Sequence, residues 1–184
     1  MLTVEPTFHR VLPVDETIPV DIEVQPFETA AAIVEQAQAW GVSECICRKQ
    51  KSLVGEACRH PTGYCMVFSS TPGAFDNDPS ITAQTRDESL ATLRRAADAG
   101  LVHTVGNNQA HGSYVCNCCT CSCGVLRGVA ELGMANAVAR SAFCSQVDAT
   151  KCIGCEDCTV ACQFDALALV DLSMGVDRQR CVGC

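Results

Sequence analysis

The sequence is short of aromatic residues and of long apolar runs. Phe, Trp and Tyr together make up 5% of the 184 residues, so few large side chains are available to fill a core. No apolar stretch approaches the roughly 18–20 residues that span a bilayer. Pro6, Pro13 and Pro19 interrupt the N-terminal stretch in which a secretory leader would have its apolar segment. We therefore expect no membrane span and a cytoplasmic location.

Basic residues and nucleotide-binding motifs are also scarce. The chain has 13 basic against 21 acidic residues and a formal net charge of −8, which argues against nucleic acid as a partner because phosphate binding needs a positive surface. It has no phosphate-binding loop, no G-x-G-x-x-G fingerprint and no pattern of a catalytic triad. A flavin or NAD site would therefore have to come from a partner protein or from chain beyond Cys184.

Cysteine is the residue that the sequence has in excess, with 16 copies. A disulfide framework needs an oxidising compartment, so metal ligation explains the cysteines better. Bound metal would also supply folding energy that the small core lacks. The candidate metal ligands in the first 150 residues are Cys45, Cys47, Cys58, Cys65, Cys116, Cys118, Cys119, Cys121 and Cys123.

The most specific pattern is a C-x2-C-x2-C-x3-C run formed by Cys152, Cys155, Cys158 and Cys162. Two residues between thiols allow a loop to curl around one face of a metal cluster. The alternative, a zinc knuckle, usually takes its thiolates from two separated pairs. The run resembles the ligand run of bacterial ferredoxins. That resemblance implies that the first three thiolates hold one [4Fe–4S] cube and that the fourth reaches a second.

The segment after Cys162 resembles the repeated half of a two-cluster ferredoxin, with a short helix, a hairpin and a second C-x2-C run at Cys181 and Cys184. Gln163 stands where ferredoxins usually have Pro. The sequence stops two ligands into the second run, so we expect a fragment of a longer polypeptide, unless other cysteines complete the cubes. The resemblance implies two [4Fe–4S] clusters with these ligands: Cys152, Cys155, Cys158, Cys162, Cys181 and Cys184.

Upstream, apolar periodicity predicts helices over Phe27–Trp40 and Val125–Arg140. A capping box at Thr85 and Glu88 predicts a helix that ends at Gly100, and strands follow around Leu101–Val105 and from Tyr114. This helix with two strands resembles half of a winged helix. We expect an α+β chain in three parts: an extended segment over 1–26, a helical, winged-helix-like cysteine-rich module over 27–145, and a ferredoxin-like βαβ cluster-binding domain over 146–184.

The densest cysteine run extends from Cys116 to Cys123. Adjacent side chains of extended backbone point apart, so Cys118 and Cys119 require either a sharp turn or two metal centres. The amides that open the helix after this run are placed to donate to cluster sulfurs.

The charged and imidazole side chains near the first cysteines have two interpretations. Four basic residues lie among these cysteines and either offset cluster charge or form a solvated loop: Arg48, Lys49, Lys51 and Arg59. His60 precedes a proline, and we interpret it as structural rather than as a ligand.

The C-x-C-R stretch at 45–48 and the C-N-C-C stretch at 116–119 resemble a group of iron–sulfur proteins in which a cysteine-rich module precedes a two-cluster ferredoxin domain. The resemblance implies electron transfer through one or two further clusters upstream, with redox protein partners or subunits, flavin- or NAD-containing ones among them. The alternative is an iron–sulfur oxidoreductase with a catalytic upstream cluster. Disulfide-reductase motifs of that kind follow Cys-Cys with Gly, whereas Thr120 follows here. A redox sensor that binds DNA is a third hypothesis.

Overall fold

The computed structural model of the protein describes residues 9–12, 30–106, 113–134 and 137–184. Within these residues the chain is a mixed α+β fold with a seven-stranded sheet, a separate hairpin and five helices. The strands are β1 (His9–Val11), β2 (Ala39–Ser43), β3 (Cys65–Ser69), β4 (Thr82–Gln84), β5 (Val102–Gly106), β6 (Tyr114–Cys118), β7 (Val138–Ala139), β8 (Leu167–Val170) and β9 (Ser173–Val176). The helices are α1 (Ala30–Gln36), α2 (Ile46–Leu53), α3 (Arg86–Asp98), α4 (Gly124–Ala130) and α5 (Asp157–Ala161). None of these helices has the length and apolar character needed to cross a membrane.

The large sheet has the strand order β4-β2-β3-β6-β5-β1-β7, so β6 is its central strand. Neighbouring strands are antiparallel, except that β1 and β7 run parallel. Alternation along β6 places Val115 in one apolar core with α1 and α3, and Cys116 and Cys118 in a second core with α4. The sheet therefore brings two thiols into a buried position at its centre.

The helix predicted over Phe27–Trp40 is shorter than expected. It is described from Ala30 to Gln36, and residues 27–29 lie outside the described ranges. The placement of Trp40 in a helix was wrong, because residues 39–43 pair with β3 on one side and β4 on the other. The indole Nε1 of Trp40 donates to the carbonyl of Val34 at 2.8 Å, so the side chain still packs against the end of α1.

The capping box at the start of α3 is confirmed. The hydroxyl of Thr85 accepts from the Glu88 amide at 3.2 Å, and the Glu88 carboxylate accepts from the Thr85 amide at 2.7 Å. The two strands after α3 pair antiparallel as predicted. The winged-helix arrangement is not confirmed, because β5 and β6 are inner strands of the large sheet rather than a two-stranded wing. Residues 107–112, between the two strands, lie outside the described residues.

The helix predicted over Val125–Arg140 covers only Gly124–Ala130. Gly133 follows with a left-handed φ of 64°, a conformation that ends helices. Val138 and Ala139 then pair with His9 and Arg10 as β7. Of the N-terminal segment predicted to be extended, residues 9–12 are described, and they contain β1.

The C-terminal part has the predicted hairpin, but its short helix, α5, ends at Ala161 and does not follow Cys162 as predicted. Strands β8 and β9 pair through a two-residue turn in which Asp171 and Leu172 both have positive φ, the geometry that matches strand twist. Phe164 and Val182 pack into the second core beside Leu126. The βαβ arrangement is not confirmed, because in the described residues α5 is followed by an antiparallel pair and no strand lies between Ala139 and Asp157.

Candidate metal centres

All sixteen cysteines lie in the described residues, and all are free thiols. The geometry of β6 divides the thiols of the 116–123 run between two places. Cys116 and Cys118 are two residues apart on the strand and face the same side. Cys119 follows directly and faces away, with its sulfur 3.6 Å from that of Cys58. The run thus delivers thiols to two separate groups, as the alternation of side chains predicts.

The first of these, the inner group, consists of Cys45, Cys47, Cys65, Cys116, Cys118 and Cys123. Hydrogen bonds link five of its thiols in the order Cys45, Cys65, Cys116, Cys118 and Cys123. Cys47 lies near Cys123 and Cys65. Cys45 and Cys123 are the N-cap residues of α2 and α4, so two helix starts and the central strand converge on this group.

Hydrogen bonds between the thiols of the inner group shift their pKa values in opposite directions. Hydrogen bonds from Cys116 and Cys45 lower the pKa of Cys65 to about 3, while the bond to Cys65 and burial raise the pKa of Cys45. The hydrogen bond with Cys118 raises the pKa of Cys123 in the same way. A thiolate is thus held beside protonated neighbours, and a bound cation would allow the others to ionise. This all-sulfur donor set is that of an iron–sulfur cluster or a thiolate-bound zinc ion.

The first amides of α4 point at sulfurs of the inner group. The Gly124 amide donates to Cys47, and the Leu126 and Val125 amides donate to Cys123. Hydrogen bonds of this kind favour the thiolate and tune a bound cluster. The expectation that this helix start faces cluster ligands agrees with these contacts.

The second collection, the outer group, consists of Cys58, His60, Cys119 and Cys121. Their ligand atoms all lie within 4.8 Å of one another. The Cys121 sulfur is 2.9 Å from that of Cys58, and the His60 Nδ1 is 3.2 Å from Cys58 and 3.5 Å from Cys121. The pKa of Cys58 is lowered to about 6, since hydrogen bonds from Cys121 and His60 outweigh the opposing effect of its burial. The outer group therefore offers one stabilised thiolate, at Cys58, beside three further atoms that could bind a metal.

Arg48 lies between the two groups and is 2% exposed. Its Nη1 and Nη2 each donate to the carbonyl of Asn117 at 3.1 Å, and Nη1 also lies 3.8 Å from the Cys119 sulfur. Burial lowers the pKa of Arg48, but the electrostatic effect of Cys45 and the hydrogen bond to Cys119 outweigh burial and the net pKa is raised. Arg48 is therefore a buried positive charge among thiols, which agrees with charge compensation rather than with a solvated loop. Lys49 is exposed and pairs with Glu44 at the surface.

A buried polar pair fixes the middle of the C-N-C-C run. His103 Nδ1 and Asn117 Oδ1 are 2.5 Å apart, and the Asn117 amide donates to the carbonyl of Tyr64 at 2.6 Å. Burial lowers the pKa of His103, so the neutral imidazole donates this bond. The Asn117 side chain and carbonyl are thus both engaged, which holds the flanking Cys116 and Cys118 in register.

The C-terminal thiols accept backbone hydrogen bonds. The Met174 amide donates to Cys152 at 3.3 Å, and the Ala166 amide donates to Cys162 at 3.4 Å. The bond from Met174 is the main cause that lowers the pKa of Cys152. Cys155 is exposed on the loop before α5, and Cys158 is half-buried in the first turn of α5. N–H···S bonds of this kind set the potential of a bound iron–sulfur cluster.

Two C-x-G-C loops share one backbone conformation. Gly154 and Gly183 have φ values of 67° and 75°, in the left-handed region that favours glycine. A Cβ at Gly183 would collide with the Ser141 hydroxyl and the Phe143 carbonyl. The left-handed glycine turns the chain between the two cysteines of each pair, and an all-thiol set of this kind fits an iron–sulfur cluster.

Cys162, the last thiol of the first run, has a neighbour from the second run. It lies near Cys184, as does Cys181. Cys144, which stands alone in the sequence, forms a side-chain hydrogen bond with Cys181. In space, therefore, the fourth cysteine of the first run neighbours the second C-x2-C pair.

Gln163, next to Cys162, connects the C-terminal segment to the outer group. Its Oε1 accepts from the Thr120 amide at 2.8 Å, and its Nε2 donates to the carbonyl of Gly100. Thr120 stands between two members of the outer group. Gln163, which stands where ferredoxins usually have Pro, thus links the C-terminal segment to the upstream residues Thr120 and Gly100.

Comparison with known proteins identifies one part of the chain. Residues 145–168 match the family of 4Fe-4S binding domains. The chain therefore has a 4Fe-4S binding domain, which implies at least one [4Fe–4S] cluster and points to iron–sulfur electron transfer in general. The matched range contains Cys152, Cys155, Cys158 and Cys162. No curated protein and no solved structure matches the chain.

The sequence did not predict the contacts of His60 with Cys58 and Cys121, or those of Gln163 with Thr120 and Gly100. His60 stands two residues after Cys58, the same interval that separates Cys45 from Cys47 and Cys119 from Cys121. That repeated interval was a usable signal that His60 faces a shared site. Nothing in the local sequence indicates the partners of Gln163, because Gly100 is 63 residues away.

Proposed function

We propose that this protein is an electron-transfer component that relays single electrons through several [4Fe–4S] clusters. Two clusters would belong to a ferredoxin-like domain over 146–184, and at least one more to the upstream module over 27–145. A cluster of this type takes up and releases one electron at a time. Electrons would come from and pass to redox proteins or subunits, flavin- or NAD-containing ones among them, in a cytoplasmic oxidoreductase complex.

The proposed ligand sets rest on the ferredoxin pattern and on the proximity of Cys162 and Cys181 to Cys184. We assign Cys152, Cys155 and Cys158 to one cluster of the C-terminal domain. We assign Cys162, Cys181 and Cys184 to the other, with the remaining ligand of each supplied outside these sets. The inner group has six thiols, more than enough for one upstream cube, and its amide donors and Arg48 would offset the negative charge of such a centre.

The observation on which the proposal rests is a shared core. Cys162 packs against the apolar cluster that contains Cys118 and Cys123, so a thiol of the 4Fe-4S domain shares an apolar core with thiols of the inner group. Apolar surroundings keep water away from both. Gln163 fixes the two halves relative to each other at the same place. A relay needs its centres at close, constant separation, and this packing supports one.

The experiment is iron and acid-labile sulfide analysis with EPR on the protein purified without oxygen. More than about eight irons per chain would require an upstream cluster beyond two cubes. We expect Cys118→Ser and Cys155→Ser each to remove iron and sulfide, and to remove different EPR signals from the reduced protein. Val160→Ala, at a residue 79% exposed in the same run, is the control and should keep all iron.

Spin coupling tests the relay itself. Reduced centres that share a packed core broaden each other's EPR signals, so Cys118→Ser should sharpen the signals that remain. A colourless protein without sulfide would refute the proposal, as would iron that is confined to the C-terminal domain.

One observation favours the alternative of an oxidoreductase with a catalytic upstream site. Cys121 is exposed, and its sulfur approaches that of Cys58 to 2.9 Å. Two such thiols can exchange two electrons by forming a disulfide. Thiol labelling before and after mild oxidation would detect the pair, and turnover of a disulfide substrate lost in Cys121→Ser would support this alternative over the relay.

A further inference from the structure

We propose that Cys58, His60, Cys119 and Cys121 bind one tetrahedral zinc ion and share no iron–sulfur cluster. This site lies outside the clusters of the proposed relay. It would contribute to the structure rather than to electron transfer, because zinc has no redox chemistry.

The spacing of the donor atoms fits a single ion. Zinc bonds of about 2.3 Å to sulfur and about 2.0–2.1 Å to nitrogen, at tetrahedral angles, place ligand atoms roughly 3.5–3.8 Å apart. Cys58 and Cys119 are 3.6 Å apart, and His60 Nδ1 is 3.5 Å from Cys121, within this range. Cys58 lies closer to Cys121 and to His60 Nδ1, at 2.9 and 3.2 Å, so an ion would move these donors slightly apart. In a cube, each thiolate binds a different iron and points outward, so its sulfurs lie much further apart. Four donors within 4.8 Å of one another leave no room for a cube.

The types of ligand atom in the outer group also favour zinc. Three thiols and one imidazole form a closed donor set, which is a standard structural zinc site. [4Fe–4S] clusters are usually held by thiolates alone, and the inner group has that all-sulfur composition. The outer group thus differs from the inner group by its imidazole ligand, and this ligand favours zinc over an iron–sulfur cluster.

Groups around the donors support them in this arrangement. The His60 amide donates to the Cys58 sulfur at 3.3 Å, and Arg48 lies 3.8 Å from the Cys119 sulfur. Contacts of this kind orient ligands and stabilise the thiolate form. The ligands come in two short arms, Cys58-x-His60 and Cys119-x-Cys121, which stand far apart in sequence. A bound ion would therefore close a long loop of the chain.

The position of the site gives the ion a role. Thr120 lies between two of the ligands, and its amide donates to Gln163 at 2.8 Å. Zinc would hold this loop in the conformation that docks the 4Fe-4S domain. Loss of the ion should loosen that junction without removing any cluster ligand.

The test is the zinc, iron and sulfide content of the full chain purified without oxygen. We expect about one zinc per chain, lost in His60→Ala and in Cys121→Ser, with iron and sulfide at wild-type levels. Cys121 is exposed, so its replacement by serine leaves the core intact, and the cluster absorption reports on folding. Arg59→Ala is the matched control, because Arg59 is exposed between two ligands, and it should keep zinc.

A rescue variant and a probe metal sharpen the test. His60→Cys gives a set of four thiolates, which also binds zinc, and should restore the ion. Cobalt in place of zinc should give the strong ligand-field absorption of four-coordinate Co²⁺ in the wild type and in His60→Cys, and none in His60→Ala.

Three metal-content results would overturn the zinc site. They are a wild-type protein without zinc, zinc retained in both ligand variants, and loss of about four irons and four sulfides in Cys121→Ser. A Cys58–Cys121 disulfide in the purified protein would also overturn it. Failure of the relay is a separate result, since it appears as missing sulfide and EPR signals while zinc is still bound.

Discussion

Replacing Arg48 with methionine should destabilise the upstream module more than any other single change of charge. The methionine keeps much of the apolar volume but removes the positive charge and every donor. Arg48 is 2% exposed and donates twice to the Asn117 carbonyl at 3.1 Å. Its loss leaves that carbonyl without these donors and the thiolates of both groups without a counter-charge.

The size of the effect can be worked out from one distance. The guanidinium lies 3.8 Å from the Cys119 sulfur. If metal binding ionises this thiol, a unit charge pair at that separation would be worth about 4 kcal/mol at an effective dielectric constant of about 20. Measured losses on removing one partner of a buried charge pair are about 3–5 kcal/mol, and this range already includes the broken hydrogen bonds. We expect about 4 kcal/mol, a large part of the roughly 5–15 kcal/mol that holds a domain together.

Arg48→Lys separates charge from geometry. Lysine keeps the positive charge but lacks the planar fork that reaches one carbonyl with two nitrogens, so it should recover about half of the loss. Lys49→Ala removes the neighbouring positive charge, whose pair with Glu44 is exposed at both ends. Exposed pairs contribute about 0–1 kcal/mol, so this control should behave as wild type.

The assay is unfolding in guanidinium without oxygen, followed by near-ultraviolet circular dichroism, together with the metal content of each variant. The expected order of midpoints is wild type equal to Lys49→Ala, then Arg48→Lys, then Arg48→Met. A midpoint and metal content of Arg48→Met equal to wild type would refute the reasoning. So would equal losses in Arg48→Met and Lys49→Ala.

Three further changes test other parts of the structure. Gln163→Ala removes the acceptor of the Thr120 amide and should cost about 1–3 kcal/mol, with faster hydrogen exchange at Thr120 by mass spectrometry. Gly183→Ala adds a left-handed alanine, which costs about 1–2 kcal/mol, and a steric collision, so it should lower the thermal midpoint further than Gly133→Ala. His103→Gln should make stability less sensitive to acid. Burial lowers the pKa of His103, so below about pH 6.5 the unfolded chain binds a proton that the folded chain does not. The stability of the wild type should therefore fall by up to about 1.4 kcal/mol for each unit by which the pH decreases.

Each of these changes has a matched control or a clear refutation. Gln179 is exposed, so Gln179→Ala should leave hydrogen exchange in the 119–123 loop unchanged. Gly133 shares the positive φ, but a Cβ there would meet nothing within 4 Å, so equal midpoints for the two glycine variants would refute the steric argument at Gly183. Parallel pH profiles for wild type and His103→Gln would show that His103 titrates as it does in the unfolded chain.

Local sequence rules predicted the elements that depend on neighbouring residues. Thr85 and Glu88 are three residues apart, and each satisfies the backbone of the other, so their capping box does not depend on the rest of the chain. The hairpin after Cys162 is similarly local, since its turn residues Asp171 and Leu172 connect strands that pair only with each other.

The predictions that failed depended on distant strands. Trp40 lies at helical spacing from Ala37, but β3 and β4 offer hydrogen bonds on both sides of residues 40–42. Val138 and Ala139 continue an apolar pattern, yet they pair with residues near the N-terminus. Periodicity cannot distinguish these cases, because the competing partner lies far away in the sequence.

The same limit applies to the thiol groups. Spacing within a run shows which thiols share a side, and it correctly separated Cys118 from Cys119. It does not show that Cys58 meets Cys119, which is 61 residues away.

The C-x-C-R and C-N-C-C stretches form one structural unit, and this explains why the two groups are distinct. Arg48 from the first stretch binds the carbonyl of Asn117 in the second. That carbonyl lies between Cys116 and Cys118, so the contact fixes the rotation of β6 about its axis. With the rotation fixed, the alternation of side chains leaves Cys118 only the inner side and Cys119 only the outer side. A buried cation at this point therefore both separates the two thiol groups and places a positive charge between them.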